Sequence, residues 1–315
     1  MLTKVTLCFF LSLFFSLLVF ACHLDKPVNS ETSHFVPGDS KRTLKIWVLS
    51  DIQPMNRKQR KEFEEAISDI NKNVPGIDLA IVAGDMVDTA DERDFDWYIS
   101  EKPSSYIKEW YEIAGNHDLK LDRGEGYKRK IRKDFYYSFA KGNILFILMS
   151  DEERDKATEI SDEAFEWWKD LVINNQDKIT VVVTHAPLEG SGIPFSTHED
   201  RQIKDSWRFA EVLKKCRVDM WLSGHLHLPH SMNNNIVGKD EYNGTLFINV
   251  SSIRTELMGL KPSESRIIMF VCGSDRVLIR SRNHTEKRYE KSLDAEFKLS
   301  KEYKCESNGK PSARN

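Results

Sequence analysis

An α/β fold with covered sheets is the architecture predicted by this sequence, and two observations predict it. Short apolar runs rich in Val and Ile end repeatedly in Asp, Gly, Asn or His, the pattern of buried strands closed by turn residues. Stretches with helical spacing of apolar side chains lie between these runs, and an alternation of strand and helix covers the faces of a sheet.

The elements follow in order. "LKIWVLSD" closes on Asp51 and leads into the helical pattern "RKQRKEFEEAISDINKN"; "IDLAIVAGD" then ends on Asp85, and "WYEIAGNHD" on Asp118. The amphipathic "SDEAFEWWKDLVINN" predicts a helix with one of Trp167 and Trp168 in the core and the other on its flank. "ITVVVTHAP", the helical "DSWRFAEVLKKC" and "VDMWLSGHLH" continue the alternation. "YNGTLFINVSSI", "SRIIMFVCG" and "DRVLIRSRN" come without intervening helices and predict a second set of strands. No internal repeat or low-complexity block interrupts this order.

At 315 residues and 40% hydrophobic content the chain can bury a sizeable core. Its formal charge of -3 provides no basic field for a nucleic-acid polymer, so a polynucleotide substrate is not expected. Residues 1–22 place Lys4 before an apolar run that ends in Ala21 and Cys22, which reads as an export signal. A small residue directly before Cys22 resembles the bacterial lipoprotein signal, in which that cysteine is lipidated; cleavage without lipid and an uncleaved anchor are the alternatives. Residues 23–43 are polar and read as a tether, leaving the predicted domain at residues 44–285 and a C-terminal extension at 286–315 whose end is expected to be disordered. Cys216, Cys272 and Cys305 are widely scattered and predict neither a disulfide framework nor a metal knuckle.

Five clusters fall just past the predicted strand ends: Asp51-Ile52-Gln53, "GDMVD" with Asp85 and Asp88, "GNHD" with Asn116 and His117, "THAP" with His185, and "GHLH" with His225 and His227. Strand ends converge on one edge of an open α/β sheet, so residues far apart in sequence can share a site there. Any one cluster has an ordinary reading as turn chemistry or a hydrogen-bonded histidine. Five in order supply what a pair of divalent ions needs: carboxylates, neutral oxygen and imidazole ligands, and a separate proton donor. Together they resemble the calcineurin-like metallophosphoesterase family over roughly residues 44–285.

That resemblance implies a four-layer αββα sandwich of two mixed β-sheets flanked by helices. It implies Asp51, Gln53, Asp85 and His227 around a first ion and Asp85, Asn116, His185 and His225 around a second, with Asp85 bridging. His117 would face the scissile phosphate and Asp88 would orient it, and Gly84, Gly115 and Gly224 would permit tight turns and close backbone approach. The implied reaction is hydrolysis of a phosphate ester or phosphoanhydride of a small substrate by metal-bound hydroxide.

Gln53 departs from the family's usual Asp-x-His. An amide oxygen is a harder ligand than imidazole and suits manganese or magnesium; iron and zinc are the other candidate ions. Asp-x-Gln is similar to the branch containing manganese-dependent ADP-ribose and CDP-alcohol pyrophosphatases, which points to a phosphodiester or nucleotide pyrophosphate. The protein serine/threonine phosphatases carry GDxVDRG and GNHE, whereas Asp88 is followed here by Thr89 and His117 by Asp118, so a phosphoprotein substrate is disfavoured.

Three competing readings accompany this one. His225, His227 and His230 approximate the HxHxDH motif of metallo-β-lactamase-like hydrolases, but Pro229 stands where that motif needs Asp, and His230 is expected at the surface. A metal- or phosphate-binding envelope protein without turnover, or a structural envelope protein, are the non-enzymatic alternatives. His23, His34, His198 and His284 are read as solvated or structural. The stretches "DTADERDFDWYISEKPSS", "SDEERDKATEISDE" and "LEGSGIPFSTHEDRQ" are expected to rim the site as loops, with Arg93, Tyr98, Arg154 and His198 in reach of substrate. Asn243, Asn249 and Asn283 head N-x-S/T sequons.

Overall fold

The computed structural model of the chain describes residues 42–152, 158–255 and 261–305. The export signal, most of the tether, Arg154 and the last ten residues lie outside them. Two mixed sheets carry the fold. In the first, β1 (Thr43–Leu49), β2 (Leu79–Ala83) and β3 (Glu109–Ile113) run parallel. β4 (Tyr136–Lys141) and β5 (Ile144–Met149) form a hairpin at the edge of the second sheet, where parallel β6 (Ile179–Thr184), β7 (Met220–Ser223) and β9 (Thr245–Asn249) follow, with β8 (Ile236–Lys239) antiparallel at the far edge. β10 (Glu264–Val271) returns to the first sheet, antiparallel to β1, and β11 (Arg276–Asn283) pairs with it. Past residue 285 the chain stays in this sheet as β12 (Arg288–Tyr289) and β13 (Ala295–Lys298), both paired with β11.

Period-two alternation divides the buried side chains into three cores. Leu44, Ile46 and Val48 of β1 face Phe146, Val181 and Leu222 between the sheets. Trp47 and Leu49 point the other way and pack under α1 (Arg57–Asn73) and α2 (Glu92–Glu101), beside which lies the short α3 (Glu125–Lys130). On the outer face of the second sheet Val182, Trp221 and Phe247 meet α4 (Asp162–Asn174) and α5 (Ser206–Leu213). These are the four layers of the expected αββα sandwich. Trp168 is fully buried and Trp167 flanks the same core.

Several expectations need correction. The stretch beginning at Asp88 is not all loop: Asp91 caps α2 by accepting from Arg93 N at 2.9 Å, and Glu92 and Asp94 suit the positive end of the helix dipole. Tyr98 is consequently buried against Phe63 instead of reaching a substrate. Cys272 and Cys305 form a disulfide with a Cα–Cα distance of 5.4 Å, because the chain after β13 turns back past the end of β10. Leu299 and Tyr303 fill the inter-sheet core beside it. His230 is not a surface group; it is buried, with Nδ1 2.7 Å from Ser281 Oγ and Nε2 accepting from Ser251 N. His284 is buried and structural, and of the three sequon asparagines only Asn243 is exposed.

Candidate metal centre

The loops after β1, β2, β3, β6 and β7 meet at one edge of the sandwich. Asp51 N donates to Gly84 O (3.1 Å) and Gln53 N to Asp85 O (3.0 Å), joining the first two motifs. Asp118, the last residue of "GNHD", accepts from Gly115 N, Val87 N and Met86 N, joining the second and third. Gly224 N donates to His185 O (2.8 Å), joining the fourth and fifth. A Cβ on Gly84 would strike His185, one on Gly115 would strike the Asp85 carboxylate, and one on Gly224 would strike Ser50. Glycine is required because the loops pass this closely, and at Gly84 also because φ is +90°. Asp51, Asp85, His225 and His227 all hold positive φ, a conformation costing on the order of 1 kcal/mol or more for a side-chain-bearing residue and concentrated at functional sites.

All nine residues predicted for the site come together here. His227 Nε2 lies 3.0 Å from Asp51 Oδ1, and Gln53 Nε2 lies 2.7 Å from His227 Nε2. His185 Nε2 lies 3.2 Å from Asp85 Oδ2, from Asn116 Oδ1 and from His225 Nδ1. His117 N donates to Asp85 Oδ1 at 2.8 Å, and His117 Nδ1 is 3.0 Å from both the carbonyl and a carboxylate oxygen of Asp88. Two groups of ligand-type atoms, each within 4.8 Å of one another, emerge: Asp85 with His185 and His225, and Asp51 and Asp85 with His227. Asp85 belongs to both.

Tautomers decide what these contacts mean. His185 Nδ1 must donate to Ala83 O (2.9 Å), and His225 Nε2 must donate to Asp200 O (3.3 Å). Their other nitrogens, facing each other at 3.2 Å, therefore both present lone pairs, together with Asp85 Oδ2 and Asn116 Oδ1. Four acceptors converge with no donor among them, an arrangement that fits a cation held by oxygen and imidazole ligands. Gln53 Oε1 is also buried without a hydrogen-bond partner, a costly state unless something else binds it.

Charge follows the same geometry. Burial would raise the Asp51 carboxyl, but the His227 imidazole beside it holds it well below the usual range. Burial likewise works against His185⁺, yet the Asp85 carboxylate lifts His185 well above the ordinary histidine value. Burial and the neighbouring His185 push His225 down to about 4. In the metal-free protein one proton on His185 therefore relieves the crowd of acceptors.

Three residues at the site escaped sequence reasoning. Asp118 is fully buried, and burial together with Asp85 pushes it up to about 7; its place inside "GNHD" was the available signal. Asp151, just past β5, is buried with Oδ1 unpartnered and is pushed up to about 8, chiefly by burial; no motif marks it. Lys120 Nζ reaches His117 Nδ1 at 2.5 Å and Asp88 Oδ1 at 3.8 Å. Nδ1 cannot accept from Lys120 while donating to Asp88, and the two Asp88 acceptors at 3.0 Å favour the N–H form.

Two clefts lie beside the centre. One of about 610 Å³ runs past Pro54 and Asp88 with Arg57, Arg60, Lys61 and Trp97 in its walls. The other, about 740 Å³, borders Asp200 and Leu226.

Comparison with known proteins agrees with this arrangement. Residues 44–229, more than half of the chain, match the family described as Calcineurin-like phosphoesterase. No curated protein sequence matches significantly. Among solved structures the chain is similar to a purple acid phosphatase from yellow lupin (Lupinus luteus) seeds, with TM-score 0.61 and 14% identity over 86% of this chain and 58% of that one. It is also similar to GAP50, the anchor in the inner membrane complex of Plasmodium, with TM-score 0.50 and 17% identity over 84% and 90% of the two chains. At such identities the likeness shows the fold alone, and the chain spans little more than half the length of the lupin protein. With the family match extending through all five motif loops, and those loops gathering acceptors suited to cations, the chain belongs to the calcineurin-like phosphoesterase family.

Proposed function

We propose that the protein is an exported hydrolase of small phosphodiesters or nucleotide pyrophosphates that works with two divalent ions, Mn²⁺ preferred. The observation that carries this reading is the Asp85 carboxylate, shared by both clusters of ligand-type atoms. Asp51, Gln53, Asp85 and His227 would hold one ion, and Asp85, Asn116, His185 and His225 the other. When bound, such ions supply Lewis-acid activation of water and neutralise phosphate charge.

Gln53 is assigned as a ligand through Oε1. His227 Nε2 cannot donate to Asp51 Oδ1 and also accept from Gln53 Nε2, whereas a half-turn of the amide would give Asp51 Oδ1, His227 Nε2 and Gln53 Oε1 one shared cation. His117 is assigned to the leaving oxygen: Asp88 engages Nδ1, so Nε2 is the nitrogen that meets substrate, as a donor or as the acid. A diester is favoured over a monoester on the Asp-x-Gln likeness, and the two clefts beside the centre leave room for a second substituent on phosphorus.

Export is supported by the Cys272–Cys305 disulfide, since such bonds persist in oxidising compartments. The N-terminal apolar run would tether the chain to a membrane through lipid on Cys22 or as an anchor. Among the described residues no helix is long and apolar enough to cross one.

The test is hydrolysis of bis-p-nitrophenyl phosphate, p-nitrophenyl phosphate and ADP-ribose by metal-free protein resupplied with Mn²⁺, Zn²⁺, Fe²⁺ or Mg²⁺. Highest turnover of the diester or pyrophosphate with Mn²⁺ is expected, together with two bound equivalents that fall to one in Gln53→Ala. Turnover restored by Zn²⁺ but not Mn²⁺ would overturn the metal preference, and no turnover with any ion would favour a binding protein. Because His185 carries a proton in the metal-free site, Mn²⁺ binding should release protons near neutral pH. Calorimetry in two buffers of different ionisation enthalpy measures that release.

A further inference from the structure

The larger cleft has a chemistry of its own. Its walls include Phe195, His198, Asp200, Arg201, Leu226 and Leu228. Leu226 stands between His225 and His227 in the chain, and the carbonyl of Asp200 accepts from His225 Nε2 at 3.3 Å, so the cleft lies behind His225, next to the metal centre. Leu226 and Leu228 make part of its wall apolar, and an aromatic pair adds to it: the Phe195 and His198 rings lie 6.3 Å apart at an interplanar angle of 30°.

Phe195 is the unusual member. Its side chain is 54% exposed, although a large apolar ring loses free energy by facing water. Its backbone is held at φ 65°, a conformation that bulky residues rarely adopt. The segment around it is anchored: Ile193 and Ser196 are buried, and turns link Ser196 N to Ile193 O, His198 N to Phe195 O and Arg201 N to His198 O. A fixed loop thus holds an exposed aromatic face at strain, beside a phosphoester site. Folding gains nothing from that placement, whereas a planar ring laid against it would remove both faces from water. The exposed Thr197 hydroxyl and the Glu199 and Asp200 carboxylates supply acceptors for the polar edge of such a ring.

We infer that this cleft is a specificity subsite for a planar heteroaromatic substituent of the phosphoester, such as a nucleobase, with Phe195 as its stacking platform. The inference rests on the phosphoesterase reading above and assigns one of the two substituents on phosphorus to a place.

Adenosine 5′-monophosphate and ribose 5-phosphate differ only in the base, and their binding to Mn²⁺-loaded wild type, Phe195→Ala and Phe195→Tyr can be measured by calorimetry. In wild type the nucleotide should bind about tenfold more tightly than the sugar phosphate, the scale of one stacked base. That ratio should collapse towards one in Phe195→Ala and return in Phe195→Tyr. Equal affinities in wild type, or a ratio that survives Phe195→Ala, would overturn the subsite. Turnover of bis-p-nitrophenyl phosphate is measured alongside. Turnover without base preference sinks the subsite and spares the phosphoesterase reading, and base preference without turnover does the reverse.

Discussion

Two buried clusters of carboxylate and imidazole, one on the first sheet and one where the strand ends of both sheets meet, differ in whether their hydrogen bonds close. In the structural one, on the outer face where α1 packs, Asp69 accepts from Arg282 Nε and Nη2, His284 Nδ1 at 2.8 Å and Asn73 Nδ2 at 2.8 Å. His284 Nε2 then accepts from Ser265 Oγ (2.7 Å), which in turn accepts from Trp47 Nε1 (2.8 Å). Every acceptor there has a donor. At the strand-end cluster, His225 Nδ1, Asp85 Oδ2 and Asn116 Oδ1 all crowd the one nitrogen His185 Nε2, and Gln53 Oε1 has no partner. The lesson is that residue type and burial do not separate a functional cluster from a structural one; the balance of donors and acceptors does.

Four carboxylates can break or sharpen that contrast. The largest effect is expected from Asp85→Asn, which removes the charge shared by both groups of ligands: bound metal and diester turnover should fall to background while the metal-free protein keeps its melting temperature. Elemental analysis and thermal unfolding check the two halves, and an unfolded variant would place Asp85 with the structural group instead. Asp69→Ala should do the opposite, costing about 3–5 kcal/mol in denaturant unfolding because Arg282 is left buried without its carboxylate, with metal content unchanged in the folded fraction.

Asp88→Asn should lower diester turnover by about 10- to 100-fold, the usual scale for a carboxylate that orients an imidazole, with metal content retained; loss of metal would assign Asp88 to the ligands. The smallest effect comes from Asp151. Its carboxyl is raised from 3.8 to about 8 by burial, so it stays protonated in the folded protein where the unfolded chain ionises. Its contribution to stability is therefore present at acid pH and lost as pH rises from about 4 to about 8, with a slope of at most about 1.4 kcal/mol per pH unit. Buried His230 and His284, whose depressed values act in the opposite sense below about 6.5, make the wild-type curve a composite. Denaturation of metal-free wild type and Asp151→Asn from pH 5 to 7 isolates the proton: the difference should shift in favour of the variant as pH rises.

Much of this site was legible beforehand because each motif pairs a strand terminator with a polar side chain, and parallel strands bring their ends to one edge. Asp51, Asp85, Asn116, His185 and His225 could be placed together for that reason, although 174 residues separate Asp51 from His225. His230 was misread because it sits in the same short run as two site histidines, and only the packing of Ser281 and Ser251 around it shows that it is buried. α2 was missed because its polar face hid the apolar positions Phe95 and Tyr98. Asp69 and His284, more than two hundred residues apart, carry no motif at all.

Local order along the chain, periodicity and turn chemistry, determined the α/β class with covered sheets and the strand-end clusters, and the αββα arrangement followed from the family those clusters resemble. Tertiary structure alone decided which imidazole nitrogen faces inward, that Cys272 meets Cys305, and that an exposed Phe195 lines a cleft beside the centre. The physical reason is range: periodicity and turns are set by neighbours a few residues away, whereas tautomer, pairing and exposure depend on atoms that the folded chain brings from elsewhere.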